Sequence, residues 1–391
     1  MDAFYRPTWV EISLDALRHN LRAFRAALPA EMRIMAVVKA DAYGHGAVQI
    51  AKECIAEGAS YLAVAFMDEA LELRRAGIES PVLVLGYTPA EAVPLAVKYR
   101  ITINVYSMDV LEALEKRGPE EPSVKIHIKV DSGMGRLGLN RTEDAIAFIE
   151  RALALPGVEV EGLFTHYACA DEADKAYTRE QFSKFERVAG HFREKGISFP
   201  YVHAGNTATA IDTPEISYNM VRLGIGMYGL YPSDEVDMER VKLRPVMSLK
   251  TRIVMLKSME EGAGVSYGAL YHASEGEEIA TLAVGYADGF SRMLTGKAHA
   301  LVRGKRVPVV GRVCMDQCMI SLRGVTGAEI GDEVVLFGEQ DGLVLPAEEL
   351  AEKLGTVNYE IVCMISHRVP RVYTEEGVVK NTVNPLQHQF S

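Results

Sequence analysis

Residues 34–66 read IMAVVKADAYGHGAVQIAKECIAEGASYLAVAF, two short apolar runs separated by a segment long enough for a helix. The runs Ile34–Lys39 and Tyr61–Phe66 hold Val37, Val38 and Val64 in near-continuous apolar stretches. Strands buried on both faces have that texture. The unit recurs at Val82–Gly86, Thr102–Val105, Val124–Val130, Val160–His166, Tyr201–His203 and Arg222–Met227. Successive starts lie about 20 to 40 residues apart, which leaves room for a crossover helix each time. Between Arg179 and Glu194, for example, Phe182, Phe185, Val188, Ala189 and Phe192 recur at helical spacing. The pattern therefore predicts an α/β fold of eight parallel strands, a (β/α)8 barrel of the TIM type. A doubly wound open sheet satisfies the same pattern, because periodicity does not report closure.

Beyond about residue 240 the texture changes. Leu249–Leu256, Ile279–Val284, Ala300–Val302, Val307–Val313 and Glu333–Phe337 are separated by Gly-containing turns, and only Ala347–Leu354 reads as a helix. This predicts a mainly antiparallel β domain after the barrel. Thr8–Ile12 precedes the first helix and is expected to join it. The expected domains are thus 13–239 for the barrel and 1–12 with 240–391 for the β domain.

The 391 residues suit a multidomain globular chain, with 48% hydrophobic residues. Forty-two basic against 53 acidic residues give a formal charge of −11, which argues against a nucleic-acid binder. The start MDAFYRPTWVEISLDAL lacks a long apolar run, and no stretch reaches the length of a membrane span. The five cysteines, Cys54, Cys169, Cys314, Cys318 and Cys363, are scattered and never spaced CxxC. They read as reduced thiols of a cytoplasmic protein with no metal site, and Cys314 and Cys318 as buried ones.

In a barrel the active site lies at the C-terminal ends of the strands, and the chemical residues cluster there. Lys39 ends the first strand, where partial desolvation lowers an amine's pKa and favours imine chemistry. Lys129 and Arg136 flank the glycine-rich KVDSGMGRLG, His166 ends the sixth strand, HAGNTAT follows the seventh, and Arg222 opens the eighth. Each has a bland alternative as a salt-bridged or capping residue, but six on one rim make a joint accident rare. The Asn206–Thr207 and Gly224–Ile225 segments occupy the loops where barrels often bind phosphate. A rim lysine with a phosphate cradle implies a phosphorylated carbonyl ligand held as an imine. A sugar-phosphate aldolase and a pyridoxal-phosphate enzyme both meet that description.

The runs AVVKADAYGHG, KVDSGMGRLG, FTHYA, VRLGIGMYG, GVSYGALY, VGYADG, VGRVCMDQCMI and TVNYE resemble bacterial alanine racemases in order and spacing, over essentially the whole chain. The resemblance implies a pyridoxal 5'-phosphate enzyme that interconverts L- and D-alanine, supplies D-alanine for peptidoglycan and works as a head-to-tail homodimer. Lys39 would hold the cofactor as an imine. Tyr43, Thr207, Gly224, Ile225 and Tyr359 would hold its phosphate, and Arg222, oriented by His166, would face the pyridine nitrogen. Arg136 would contact the phenolic oxygen, positioned by Lys129, which is often carbamylated in the family. Tyr267, Met315 and Asp316 would reach into the partner's site. Asp171, Tyr286, Arg292 and Arg312 are expected with Asp316 around the substrate channel. The threonine of HAGNTAT stands where many relatives carry serine, and it keeps the hydroxyl.

The implied roles suit racemisation. Lys39 would exchange the Cα proton on one face and Tyr267 of the other subunit on the opposite face, with a stabilised phenolate. A guanidinium opposite the pyridine nitrogen does not give up its proton, so the ring nitrogen stays neutral and the carbanion short-lived. Arg222 therefore suits a racemase better than an aminotransferase. The alternatives are another enzyme of the same plan, either a broad-specificity racemase or a decarboxylase, and a pyridoxal-phosphate carrier. Residues 240–391 weigh against the carrier, which resembles the barrel half alone.

Overall fold

The structure, a computed structural model, describes residues 3–118 and 120–387. The expected β domain therefore has residues 1–2 and 388–391 outside the described range. Two compact units divide the chain, Arg18–Arg244 and Met1–Leu17 with Pro245–Ser391.

The first strand of the chain, β1 (Trp9–Ser13), belongs to the second of these units, and the next eight build the first unit. They are β2 (Arg33–Val37), β3 (Tyr61–Val64), β4 (Val82–Val84), β5 (Thr102–Val105), β6 (Val124–Lys129), β7 (Val158–Phe164), β8 (Tyr201–His203) and β9 (Met220–Leu223). All neighbouring pairs are parallel, in the order β8-β7-β6-β5-β4-β3-β2-β9. A parallel bridge between Gly205 and Val221 draws the two edge strands together, which nearly closes the barrel. Met35, Ala36, Leu62, Ala63, Leu83 and Val84 are fully buried although neighbours in sequence point to opposite faces. Helices cover the outer face: Ala176–Glu194 buries Phe185, Val188, Ala189 and Phe192, the stripe its periodicity marks.

Strand ends differ from the sequence expectation. β2 stops at Val37, so Lys39 stands two residues past the strand. β9 is Met220–Leu223 and places Arg222 inside the strand instead of at its start, while Ile225–Tyr228 forms a 3₁₀ turn. Glycines at 224 and 226 break the apolar run that periodicity alone reads as strand.

The other unit is a ten-stranded, mostly antiparallel sheet. β1 is third from one edge of it, antiparallel to Met247–Ser258 and parallel to Arg371–Glu375. Strands Cys318–Ser321, Leu343–Leu345, Arg371–Glu375 and Val378–Val383 add to those expected. A second helix, Asn358–Cys363, corrects the single-helix reading; six residues are too few for periodicity to register.

Candidate active site

Past β2 the chain turns in an uncommon way. Ala40, Asp41 and Ala42 have φ of 53° and Tyr43 54°, four non-glycine residues in left-handed geometry. Each costs about 1–2 kcal/mol, so the turn must be held from outside. Glu69 Oε1 accepts from Ala40 N at 2.7 Å, and its Oε2 accepts from Ala65 N at 2.6 Å. Asp41 Oδ1 accepts from Ala47 N at 2.8 Å. The turn sets Lys39 Nζ 5.9 Å from the centre of the Tyr43 ring, which packs on Tyr228 at 4.9 Å.

Across the barrel mouth, Thr207 Oγ1 accepts from Gly224 N at 3.2 Å and Gly226 N at 3.3 Å. A Cβ on Gly226 would lie 2.6 Å from Thr207 Cγ2, and one on Gly224 would lie 2.7 Å from the Tyr43 hydroxyl. Only glycine lets this loop, the threonine and the tyrosine converge.

Arg222, 4% exposed, is held by five hydrogen bonds. Nη1 donates to His203 Nδ1 (2.7 Å) and His203 O (3.1 Å). Nη2 donates to Thr165 O (2.8 Å), His166 Nδ1 (2.9 Å) and Ala204 O (2.9 Å). Both terminal nitrogens are thus engaged, and Nε is left without a hydrogen bond among the described residues. Burial pulls this guanidinium down to about 9, so it remains charged at neutral pH.

Burial, then the charges of Arg222, Lys129, Arg136 and Lys39, hold His166 well below the usual imidazole range. The imidazole is therefore neutral, with four cations converging on it. Lys129 is 4% exposed and lies 5.4 Å from the centre of the Phe164 ring. Burial first, then Arg222 and Arg136, brings its amine down to about 8. Arg136 is exposed and makes no hydrogen bond among the described residues, to Lys129 or otherwise. A positive rim of this kind fits an anionic ligand, and an aromatic ring nitrogen fits the Nε donor.

The barrel unit therefore gathers Lys39, Tyr43, Lys129, Arg136, His166, Thr207, Arg222, Gly224 and Ile225 at one end of the barrel. Asp171 follows β7 in the same unit, where its carbonyl accepts from Ser233 Oγ at 2.6 Å. In the β unit a second cluster forms. Ser266, at φ 66°, donates through Oγ to Arg312 O at 2.7 Å and precedes Tyr267, which is 71% exposed. Tyr286 N and Ala287 N donate to Cys314 O and Met315 O, each at 3.0 Å. A Cβ on Gly285 would meet those carbonyls at 2.3 and 2.4 Å. Val313 N donates to Thr295 Oγ1 at 3.1 Å, which ties the turn of Arg292 to the same loop. Arg368 grips both Asp288 (2.7 Å) and Asp316 (2.6 Å). Tyr359 lies on the helix Asn358–Cys363. Of the cysteines, Cys54 and Cys318 are buried, whereas Cys363 is exposed. No metal-binding cluster of His, Cys, Asp or Glu occurs among the described residues. No helix among them is long and apolar enough to cross a membrane.

Sequence reasoning missed the buried His203, which touches Arg222, and His127 and Glu161, which follow behind it. The available signal was the alternation in VKIHIK (124–129), which puts Lys125, His127 and Lys129 on one face of β6.

Comparison with known proteins agrees with this geometry. The family model "Alanine racemase, N-terminal domain" matches residues 12–232, and "Alanine racemase, C-terminal domain" matches 246–373. The chain belongs to the alanine racemase family. The alanine racemase of Desulfovibrio desulfuricans is 48% identical over 376 residues, which is 96% of this chain and 100% of that one. The solved alanine racemase of Clostridium difficile superposes with a TM-score of 0.92 at 43% identity, covering 98% of this chain and 100% of that one. An alanine racemase from Bacillus anthracis, solved with bound L-Ala-P, gives 0.92 at 41% identity, covering 99% and 100%. Family membership favours the racemase over the carrier and decarboxylase readings.

Proposed function

We propose that the protein interconverts L- and D-alanine with pyridoxal 5'-phosphate, as a homodimer whose active sites take residues from both chains. The observation that carries this reading is the buried guanidinium of Arg222, with both terminal nitrogens occupied and Nε left to donate. When bound, the cofactor acidifies the Cα–H of an amino acid by delocalising the electron pair left behind. Arg222 keeps its proton and would leave a ring nitrogen placed against it neutral. Lys39 would take or return the Cα proton on one face through its ε-amine. Tyr267 of a second copy would do so on the other through its phenol oxygen. Tyr43, Thr207, Gly224, Ile225 and Tyr359 would hold the phosphate, with His166 bonded to Arg222. Arg136 would steady the phenolic oxygen and, with Met315, the substrate. Lys129, whose amine is lowered to about 8, would first lose its ammonium proton to solvent, and the neutral amine would then add CO₂ and release a second proton, so that a carbamate anion replaces the cation. Asp171, Tyr286, Arg292, Arg312 and Asp316 line the way in.

The test is incubation of the purified protein with L-alanine, reading D-alanine with a D-amino-acid oxidase. Racemisation to an equal mixture is expected. Carbon dioxide release instead, or no turnover by a yellow protein, would overturn the reading. Borohydride should fix the cofactor on Lys39, and a label on another lysine would contradict its role.

A further inference from the structure

A polar ladder fills the barrel beneath Arg222. His203 Nε2 lies 2.8 Å from His127 Nδ1. His127 Nε2 has no hydrogen bond within the barrel and stands 3.5 Å from Glu161 Oε2. Glu161 accepts from Tyr61 Oη at 2.8 Å and Lys125 Nζ at 2.6 Å, and Tyr61 Oη pairs with Thr102 Oγ1 at 2.5 Å. His127 and His203 are fully buried and Glu161 is 5% exposed. These residues come from β3, β5, β6, β7 and β8, so their mutual contact places them inside the barrel. Only Lys125, near the start of β6, reaches water.

Local structure is shaped for this ladder. The β6–β7 register passes from Ile126↔Val160 to His127↔Gly162, which makes Glu161 the extra residue of a bulge. A bulge re-aims a side chain, here a carboxylate into the interior. A Cβ at Gly162 would lie 2.7 Å from the His127 ring.

The protons on the ladder follow from the donors. A guanidinium has no acceptor, so His203 Nδ1, 2.7 Å from Arg222 Nη1, must accept and carries no hydrogen. The His203 proton is then on Nε2 and points at His127 Nδ1, which must accept in turn. The His127 proton is therefore also on Nε2 and faces the carboxylate. A second proton on either ring would set N–H against N–H. We infer that His203 and His127 are positioning residues for the racemisation proposed above, a one-way relay whose last N–H faces Glu161 and which holds the Arg222 guanidinium with Nε as its remaining donor. Burial first, then Arg222, keeps His203 well below the ordinary imidazole range, and burial likewise lowers His127. The charged or titratable groups facing the pair are Arg222, Lys129, Lys125, Glu161 and the phenols of Tyr61 and Tyr201.

The inference rests on the racemase reading only for its effect on turnover, so two measurements are used. The first is ¹⁵N spectroscopy of histidine-labelled holoenzyme, with signals assigned by single His→Asn variants. Both residues should show the neutral Nε2–H tautomer at pH 7. An Nδ1–H or doubly protonated signal from either overturns the relay, whatever the enzyme catalyses. The second compares His203→Asn with His203→Leu in alanine turnover. The Asn amide oxygen stands near the place of Nδ1 and can still accept from Arg222, whereas Leu cannot. We expect Asn to keep kcat within about 3-fold and Leu to lose about 10²-fold in kcat at near-constant KM, the scale of a misplaced catalytic group. A packing role predicts the reverse order, because Leu fills more of the imidazole volume. Asn as poor as Leu, or a loss confined to KM, would overturn the positioning role. Should Leu fail to fold, the tautomers still decide.

Discussion

Replacing Arg222 by lysine tests how the barrel holds its buried cation. The guanidinium makes five hydrogen bonds, to two imidazole nitrogens and three backbone carbonyls. An ammonium has three N–H groups on one nitrogen and cannot span acceptors disposed around two. At least two acceptors lose their partner in a site that is 4% exposed. A buried acceptor left unsatisfied costs about 1–3 kcal/mol, so Arg222→Lys should destabilise cofactor-free protein by roughly 4 kcal/mol. Urea unfolding followed by circular dichroism reads this as a lower midpoint at unchanged slope, provided the transition is two-state. A loss below about 1 kcal/mol would refute the reasoning, because it would mean that water already satisfies those acceptors. The same variant should lose turnover, since the donor Nε is gone.

Three further outcomes follow from other parts of the molecule. Ala40 is exposed at φ 53°; Ala40→Gly removes left-handed strain of about 1–2 kcal/mol against roughly 0.4–1 kcal/mol of added chain entropy. Thermal melts should therefore show slight stabilisation, and a loss above about 1 kcal/mol would count against the strain. The Lys129 amine is lowered to about 8 by burial, so between pH 8 and its unfolded value near 10.4 the unfolded chain binds more protons and stability rises with pH. In CO₂-free, cofactor-free protein that rise, about 3 kcal/mol in full, should flatten in Lys129→Met; equal slopes would refute it. Arg292→Glu with Arg312→Glu should raise KM for both enantiomers at low salt, and less so at high salt as exposed charges are screened; an unchanged low-salt KM returns both to the ordinary surface.

How far the sequence carried the account depends on what a residue type signals. Eight apolar runs marked parallel strands covered on both faces, though not their closure into a barrel, and Lys39, His166 and Arg222 stood out because polar residues are few in or beside such runs. The left-handed turn at 40–43 left no trace, since it contains no glycine until Gly44 and is enforced by Glu69 and Asp41 from outside. His127 and Glu161 read as ordinary polar positions of two strands. His127 shares the face of Lys129 by simple alternation, whereas only the bulge turns Glu161 inward and only Gly162 clears room for the His127 ring, and register is not written in a single strand. The strand Val378–Val383 escaped because Val378, Val379 and Lys380 are exposed and no buried alternation marks it, and Arg371–Glu375 because its buried run includes the charged Arg371 and the polar Thr374.

The central claim is that two different groups, Lys39 and Tyr267 from the partner, serve the two faces of Cα. Its most direct test is Cα-proton exchange in deuterated water with Tyr267→Phe, each alanine enantiomer supplied separately and deuterium read by mass spectrometry. The account predicts that one enantiomer still exchanges through Lys39 while exchange of the other and net racemisation fall by about 10²–10⁴. Equal loss of exchange for both enantiomers, or racemisation undiminished, would contradict it.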